Sequence, residues 1–456
     1  MKTANTTLRS AALLLAAATT AQAAPATEAD GGAEITAEQA TEASQADKAA
    51  TPARRRHVLM AAELATIMVV GNRWYWRDNG KPNEVDWQLK HDMSAVQTKL
   101  STTGGWRFDG NPFDINALGH PGFGAMTHFL ARSNHYSMGE SFLISTVASG
   151  SWEVFLELAE YGSINDALST STAGIPIGET AYQIIHHARE TNYEVRGGVG
   201  ADTGGSFGVV STRGELDRIP RTGDGTVMGG RKVGYAVAMT SDSEGVRSVQ
   251  GTTEATLVGY YQNRANHSLH VGINTGFEYR NIKDREDRAW DLLSKVSGGP
   301  TIDLELRRGD ATITLGADLS LDFAMVKSQA YETWRADHAM ETVRNVMQDK
   351  AQPYYYAMGA SLDPRINVAY HGVTVGGTVA ASLFGSIDGA DRDQEMMTAD
   401  THMTDHDAAA QAWVGYEYGN MSMVLDGALT SRGGSMGDAS SETTGRTAML
   451  TVGYRR

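Results

Sequence analysis

Between Thr301 and Val326 the polarity of the chain alternates almost residue by residue, and few folds accept that. Ile302, Leu304 and Leu306 are apolar, with Asp303, Glu305 and Arg307 between them. After a turn at Arg308-Gly309-Asp310, Ile313, Leu315, Ala317, Leu319, Leu321 and Phe323 point one way, and Thr312, Thr314, Asp318, Ser320 and Asp322 the other. Successive side chains of a strand face opposite sides, so this is a hairpin with one apolar and one ionised face. A soluble sheet shows such a face once or twice. Here the pattern recurs to the last residues, as in a closed transmembrane antiparallel β-barrel with a wet interior.

The arms are clearest at Thr252–Gln262, His267–Arg280, Thr301–Arg307, Ala311–Val326, Pro353–Leu362, Val373–Ile387, Ala408–Tyr418, Met421–Thr430 and Thr444–Arg455. Fainter ones lie near Tyr193–Gly200, Phe207–Thr212 and Lys232–Thr240. That predicts about twelve strands, an even number. Short connections after Gln262, Arg307 and Asp363 and at Gly419-Asn420 alternate with longer ones after Arg280, Val326, Ile387 and Thr430. Short periplasmic turns and long external loops produce this rhythm and put both termini in the periplasm. Arg213–Gly230 is the exception, a long connection on the periplasmic side that would be free to touch the segment before the barrel. Tyr261, Tyr279, Phe323, Tyr354, Tyr416, Tyr418 and Tyr454 fall near strand ends, where a headgroup-level girdle is expected.

Hydrophobic content of 41% excludes a helical membrane protein, and barrels escape that test because every second residue is polar. Fifty glycines against ten prolines suit many tight turns. The absence of cysteine rules out disulfides and thiolate metal sites. A net charge of −15 argues against nucleic acid, whose phosphates need basic partners. Residues 1–23 read as a secretory signal: Lys2 and Arg9, the apolar run Ala11–Ala18, and the small-x-small site Ala21-Gln22-Ala23. Residues 24–53, rich in Ala, Thr and Glu, read as a disordered linker.

Residues 54–190 read as a helical periplasmic or interfacial domain, leaving 191–456 for the barrel. Arg54-Arg55-Arg56 precedes an apolar stretch, Val58–Val70, followed by Trp74-Tyr75-Trp76, a composition that fits a membrane interface or a core helix. Gly124–Asn134 and Gly139–Glu160 are helical and largely apolar, and Ser163-Ile164-Asn165-Asp166 is a capping signature opening another helix, which Pro176 is expected to break. Ser145, Ala148 and Ser149 would let helices approach closely. The unit carries Asn111-Pro112-Phe113 with Asn116, His120-Pro121-Gly122, Ala131-Arg132-Ser133, Ser151-Trp152-Glu153, Glu157, Ser163-Ile164-Asn165-Asp166, Gly174, Gly178-Glu179 and Tyr182. In these residues, from Trp106 to Tyr182, it resembles a bacterial family known as domain of unknown function 3943. The resemblance implies an envelope protein with a barrel appended, and no activity.

Glu153, Glu157 and Glu160 share a helical face and, with His120, Asp166 and Glu179, are the candidate acid/base or metal-binding group. The plainer reading is a solvated acidic face, or acids capping neighbouring helix N-termini. Arg132 is expected to pair with Glu140 or Glu153. In the loop after Ile387, Asp391, Asp393, Glu395, His402 and His406 are weak candidates for a divalent cation, the one cofactor these residues suggest. His270, Asn274, Glu278, Asp303, Glu305, Arg307, Asp318 and Asp322 are expected to line the lumen. The expectation is an outer-membrane barrel of a Gram-negative envelope, with the helical domain plugging or capping it, acting in envelope organisation or passage of a small solute or lipid. The rival is a lipid-modifying hydrolase using the acidic/His cluster. Partners would be outer-membrane lipid or lipopolysaccharide and the barrel-assembly machinery.

Overall fold

A computed structural model describes residues 54–79, 89–243, 245–283, 289–347, 352–390, 399 and 401–456. The signal sequence, the linker, and Asp391, Asp393 and Glu395 lie outside the described residues. Twelve antiparallel strands close into a barrel. They are β1 (Asn192–Asp202), β2 (Gly205–Asp217), β3 (Lys232–Asp242), β4 (Gly245–Asn263), β5 (His267–Lys283) and β6 (Ala289–Arg308). Then follow β7 (Ala311–Val326), β8 (Tyr355–Tyr370), β9 (Val373–Ser386), β10 (Met403–Tyr418), β11 (Met421–Met436) and β12 (Ala439–Arg455). Each pairs with its sequence neighbours, and β12 closes on β1, with Tyr454 opposite Val195. This is the architecture of a transmembrane β-barrel. Val199, Val210, Leu362, Val379, Leu429 and Leu450 stand exposed on its outer face.

The register puts His270, Asn274, Glu278, Asp303, Glu305, Arg307, Asp318 and Asp322 on the inner face, with opposed pairs such as His270 and Asp303 sharing it. The charges interlock. Lys232 and Arg365 both meet Asp303 at 2.5 Å, and Lys295 meets Glu278 at 3.0 Å. Asp291 sits between Arg280 (3.3 Å) and Arg432 (3.1 Å).

Both barrel termini lie at one rim, here the terminal rim; the longest connections lie at the other, the loop rim. The described part of the connection after β7, residues 327–347, folds back into the loop-rim mouth. Its helix α6 (Tyr331–Asp337) seats Tyr331 and Trp334, with Val343 and Val346, against the inward side chains Leu293, Val326, Tyr355, Phe384, Met403 and Met436. This connection therefore packs inside the mouth, against the inward face of β6 to β12.

The connection pattern is corrected in two places. β8 runs on to Tyr370 and turns at His371-Gly372, not near Asp363. Pro364 is tolerated inside it because the ladder to β9 skips residues 363 and 364, so the missing donor costs no bond there. β11 likewise continues past Thr430 and turns at Gly437-Asp438, where Gly437 takes φ +58°. The long 218–231 connection contains a short strand, Gly223–Met228, laid against the end of β4, and it does touch the helical unit: Gln183 donates to the Gly229 carbonyl (3.3 Å).

The helical unit comprises α1 (His57–Asn79), α2 (Met93–Ser101), α3 (His120–Ser133), α4 (Met138–Ser151) and α5 (Ile164–His186). A π-helical turn precedes α3 at Ile115–Gly119, and another follows α4 at Trp152–Leu156. Ser163 caps α5, accepting the Asp166 N–H at 3.2 Å. Ser137 and Glu140 form a full capping box on α4. α5 passes through Pro176 without a break. α3 and α5 run side by side in the same direction with their backbones in contact at Gly124 and Gly174. α4 returns antiparallel, its Ser145 hydroxyl donating to the Gly124 carbonyl at 3.2 Å.

The unit neither plugs the bore nor stands below the barrel; it docks on the outer wall. Phe113, Ala117, Ala173, Phe108 and Ile177 pack against Phe277, Tyr279, Leu292, Val296, Phe323, Met325, Tyr354 and Tyr356 near the loop rim. Farther along α5, Ile184 meets Leu216, Val233 and Ala255 near the terminal rim. All these strand residues face outward. Tyr279, Phe323 and Tyr354 are consequently under the helices, not in a girdle, and Tyr261 points inward opposite His270. The exposed rim tyrosines are Tyr260, Tyr370, Tyr416, Tyr418 and Tyr454, all toward the terminal rim.

Candidate functional site

The polar side chains of the helical unit gather in its interior, in separate groups along the helices. Nearest the loop rim, Asp109, His120 and Asp166 converge, their ligand atoms all within 4.8 Å of one another. Asp109 belongs to an Asp-Gly-Asn turn, whose short polar side chains bond their own backbone. Its carboxylate accepts from the Asn111 side chain (3.0 Å) and from Asn116. Asp166 lies in the first turn of α5, and His120 opens α3, so one interhelical contact brings them to 3.2 Å (Nε2 to Oδ2).

Asn165 ties the two acids together. It accepts the Asp109 N–H at 2.9 Å and donates to Asp166 at 2.9 Å. The barrel wall completes the frame: Tyr354 donates to the Asn111 carbonyl (2.7 Å), Tyr356 to the Asp109 carbonyl (3.1 Å), and Tyr279 to Asp114 (3.1 Å). The Asn-Pro-Phe segment thus clamps Asp109 to the tyrosines, while Phe113 fits between Tyr279 and Tyr354 with centroids at 6.1 and 5.6 Å.

Glu153 and Glu157 are neither on a solvated face nor in this trio. The π-helical turn shifts the register, and both carboxyls are buried. Glu153 accepts the Ser163 N–H (2.8 Å) at the start of α5, and Glu157 accepts from the Trp152 indole (2.8 Å). Lys99 of α2 reaches into the unit, but its ammonium donates to the main-chain carbonyls of Glu153 and Glu157. Burial pushes its ammonium pKa down, against the pull of Glu153 and Glu157.

Glu179 belongs to another group, thirteen residues or about 20 Å farther along α5. There Arg132 grips it through Nε at 2.7 Å, His128 approaches at 3.1 Å and Gln183 donates at 2.7 Å. Arg132 therefore pairs with Glu179, and not with Glu140 or Glu153; its guanidinium also lies over Tyr182. Of the loop candidates that are described, His402 approaches the Ser386 hydroxyl (3.0 Å) and His406 lies on the outward face of β10 opposite Leu383.

Sequence reasoning found His120 and Asp166 but missed Asp109, Asn165 and Lys99. The Asp-Gly-Asn-Pro turn was the available signal for Asp109. Nothing in the sequence marked Lys99.

No curated protein matches the chain. Among solved structures, the NanC porin is 9% identical, covering 57% of this chain and 98% of its own, with a TM-score of 0.29. The KdgM porin is 11% identical (58% and 98% covered, TM-score 0.24), and OmpT of Vibrio cholerae, an outer-membrane protein, 7% (58% and 98%, TM-score 0.26). From Gly105 through the end of β1, residues 105–203, the chain matches the family described as domain of unknown function DUF3943.

Proposed function

We propose that this is an outer-membrane protein that modifies membrane lipid at the outside of a closed barrel, with the helical unit lying at bilayer depth beside the wall. The observation that carries the reading is the inverted polarity of the unit. Ser141, Ser145 and Ser149 of α4 are buried, while Leu143 and Val147 are 62% and 66% exposed. On α1, Val58, Val69 and Val70 are exposed; on α5, Leu168 and Ile185 are exposed while Ser169, Thr170, Glu179 and Gln183 are buried. Water would reverse that arrangement, and hydrocarbon favours it.

Lengths agree. α1 and α5 have 23 residues each, about 34 Å of helix, against a hydrocarbon core of about 30 Å. No described helix is apolar enough to cross a membrane by itself; each would depend on the barrel and its neighbours to cover its polar face. The Asp109–His120–Asp166 group then stands near one membrane surface, where it suits activation of water for attack on a lipid ester or phosphoester.

Passage through the bore is the weaker reading, because the lumen charges interlock and α6 packs into one mouth. Two experiments separate them. Cells carrying His120→Ala or Asp166→Asn should lose a lipid species that wild-type protein produces, whereas an unchanged profile with folded protein leaves an envelope scaffold. In planar bilayers the wild type should give no large conductance steps; steady porin-like steps would restore passage.

A further inference from the structure

We infer that Asp109, His120 and Asp166 form a binding site for one divalent metal ion of the Zn²⁺/Mn²⁺ kind. The inference deepens the lipid-modifying reading but rests on it only for what the metal would act upon. One imidazole and two carboxylates form a mixed borderline-to-hard donor set. Ligands at about 2.0–2.2 Å from an ion stand about 3–4 Å apart, so closing a trio already within 4.8 Å needs side-chain shifts of about an ångström. Three protein ligands leave positions open for water and substrate, as catalytic sites require.

Two further observations point to a ligand. His120 Nε2 is buried and engages no hydrogen bond, although Asp166 Oδ2 is 3.2 Å away. The side chain of Asn116, which donates to Asp109, is 1% exposed and its oxygen has no hydrogen-bond partner. Lys99 directs its ammonium at main-chain carbonyls and lies beside Glu153 and Glu157, not among the trio. Buried carboxylates left uncompensated are costly, and a dication between them removes the cost. The ligands are also held in advance. Asn165 fixes both aspartates, and Asn111 and Asn116 orient Asp109, as outer-shell partners do in metal sites.

The test uses the full chain refolded in detergent, stripped with chelator and titrated with Co²⁺ as a spectroscopic stand-in. One Co²⁺ per chain should bind with visible ligand-field absorption and be displaced by Zn²⁺. His120→Ala and Asp166→Asn should each weaken binding about tenfold or more, and His402→Ala should leave it intact. Absent stoichiometric binding, or binding indifferent to both variants, overturns the site. Should a variant fail to fold, X-ray absorption on the wild-type Co²⁺ form decides: one imidazole among oxygen ligands supports the site, and none or several refutes it. These readouts need no lipid substrate. Metal binding with an unchanged lipid profile would retain the site and discard the lipid reading; lipid turnover surviving metal removal would do the reverse.

Discussion

Gly124 fixes how closely α3 and α5 approach, since a Cβ there would meet the Thr170 carbonyl oxygen at 1.7 Å. No rotamer change relieves a clash with backbone. Gly124→Ala is therefore expected to cost at least about 3 kcal/mol, read as a drop in the thermal midpoint of the refolded protein. Gly122→Ala, where a Cβ meets nothing within 4 Å, should be neutral or slightly stabilising through helix propensity. The Arg132–Glu179 pair makes a second residue-level case, with side chains 15% and 0% exposed. Arg132→Met strands a buried carboxylate and should destabilise by about 3 kcal/mol. Adding Glu179→Gln should recover part of that loss, and a double-mutant cycle measures the coupling. The sequence named both residues but not the pairing, because partners 47 positions apart depend on which helices become neighbours. Ser163 was legible as a cap because its bond closes within three residues.

Among the elements, the Asn-Pro-Phe segment decides whether the helical unit stays on the wall. Phe113 is fully buried against Tyr279 and Tyr354. Phe113→Ala should cost about 3–5 kcal/mol, and hydrogen exchange should rise selectively in α3 and α5 while the strands keep their protection. α6 makes the second element-level case. Shortening the 327–354 connection to remove Tyr331 and Trp334 should leave the twelve strands paired and open the loop-rim mouth, so that bilayer recordings show conductance absent from the wild type. Element identity was largely legible: alternation marked the strands, even the faint β1 to β3, and apolar periodicity marked the helices. Ends were less so. The sequence suggests a turn at Asp363 and a break at Pro176, and both residues lie inside continuous elements. At Pro364 a gap in the ladder absorbs the missing bond.

For the whole molecule, the sharpest prediction concerns what surrounds the helices. The chain has no cysteine, so Leu143→Cys or Val147→Cys gives a unique label. A spin label at either position should be relaxed by oxygen dissolved in the bilayer and shielded from a water-soluble relaxant. The reverse result would place the unit in water and remove the support for lipid chemistry. Low overall hydropathy fits this placement: buried serines and acids dilute each helix, while its one outward face stays apolar. In the proposed placement, a helix of that composition would be stable in lipid only against a finished wall.

The sequence by itself determined the barrel and its strand number. Period-two alternation states which side each residue faces, and the hydrogen-bonding of one strand to the next is a local rule. It also named His120 and Asp166 as candidates, as titratable residues of the helical unit that would join the acidic face of Glu153, Glu157 and Glu160. Tertiary structure alone decided where the helices dock, that the outward aromatics Tyr279, Tyr354 and Tyr356 cover the unit and do not ring the membrane surface, and that Asp109 completes a trio. An outward apolar side chain reads the same whether lipid or a helix covers it, and only the assembled wall settles which one does.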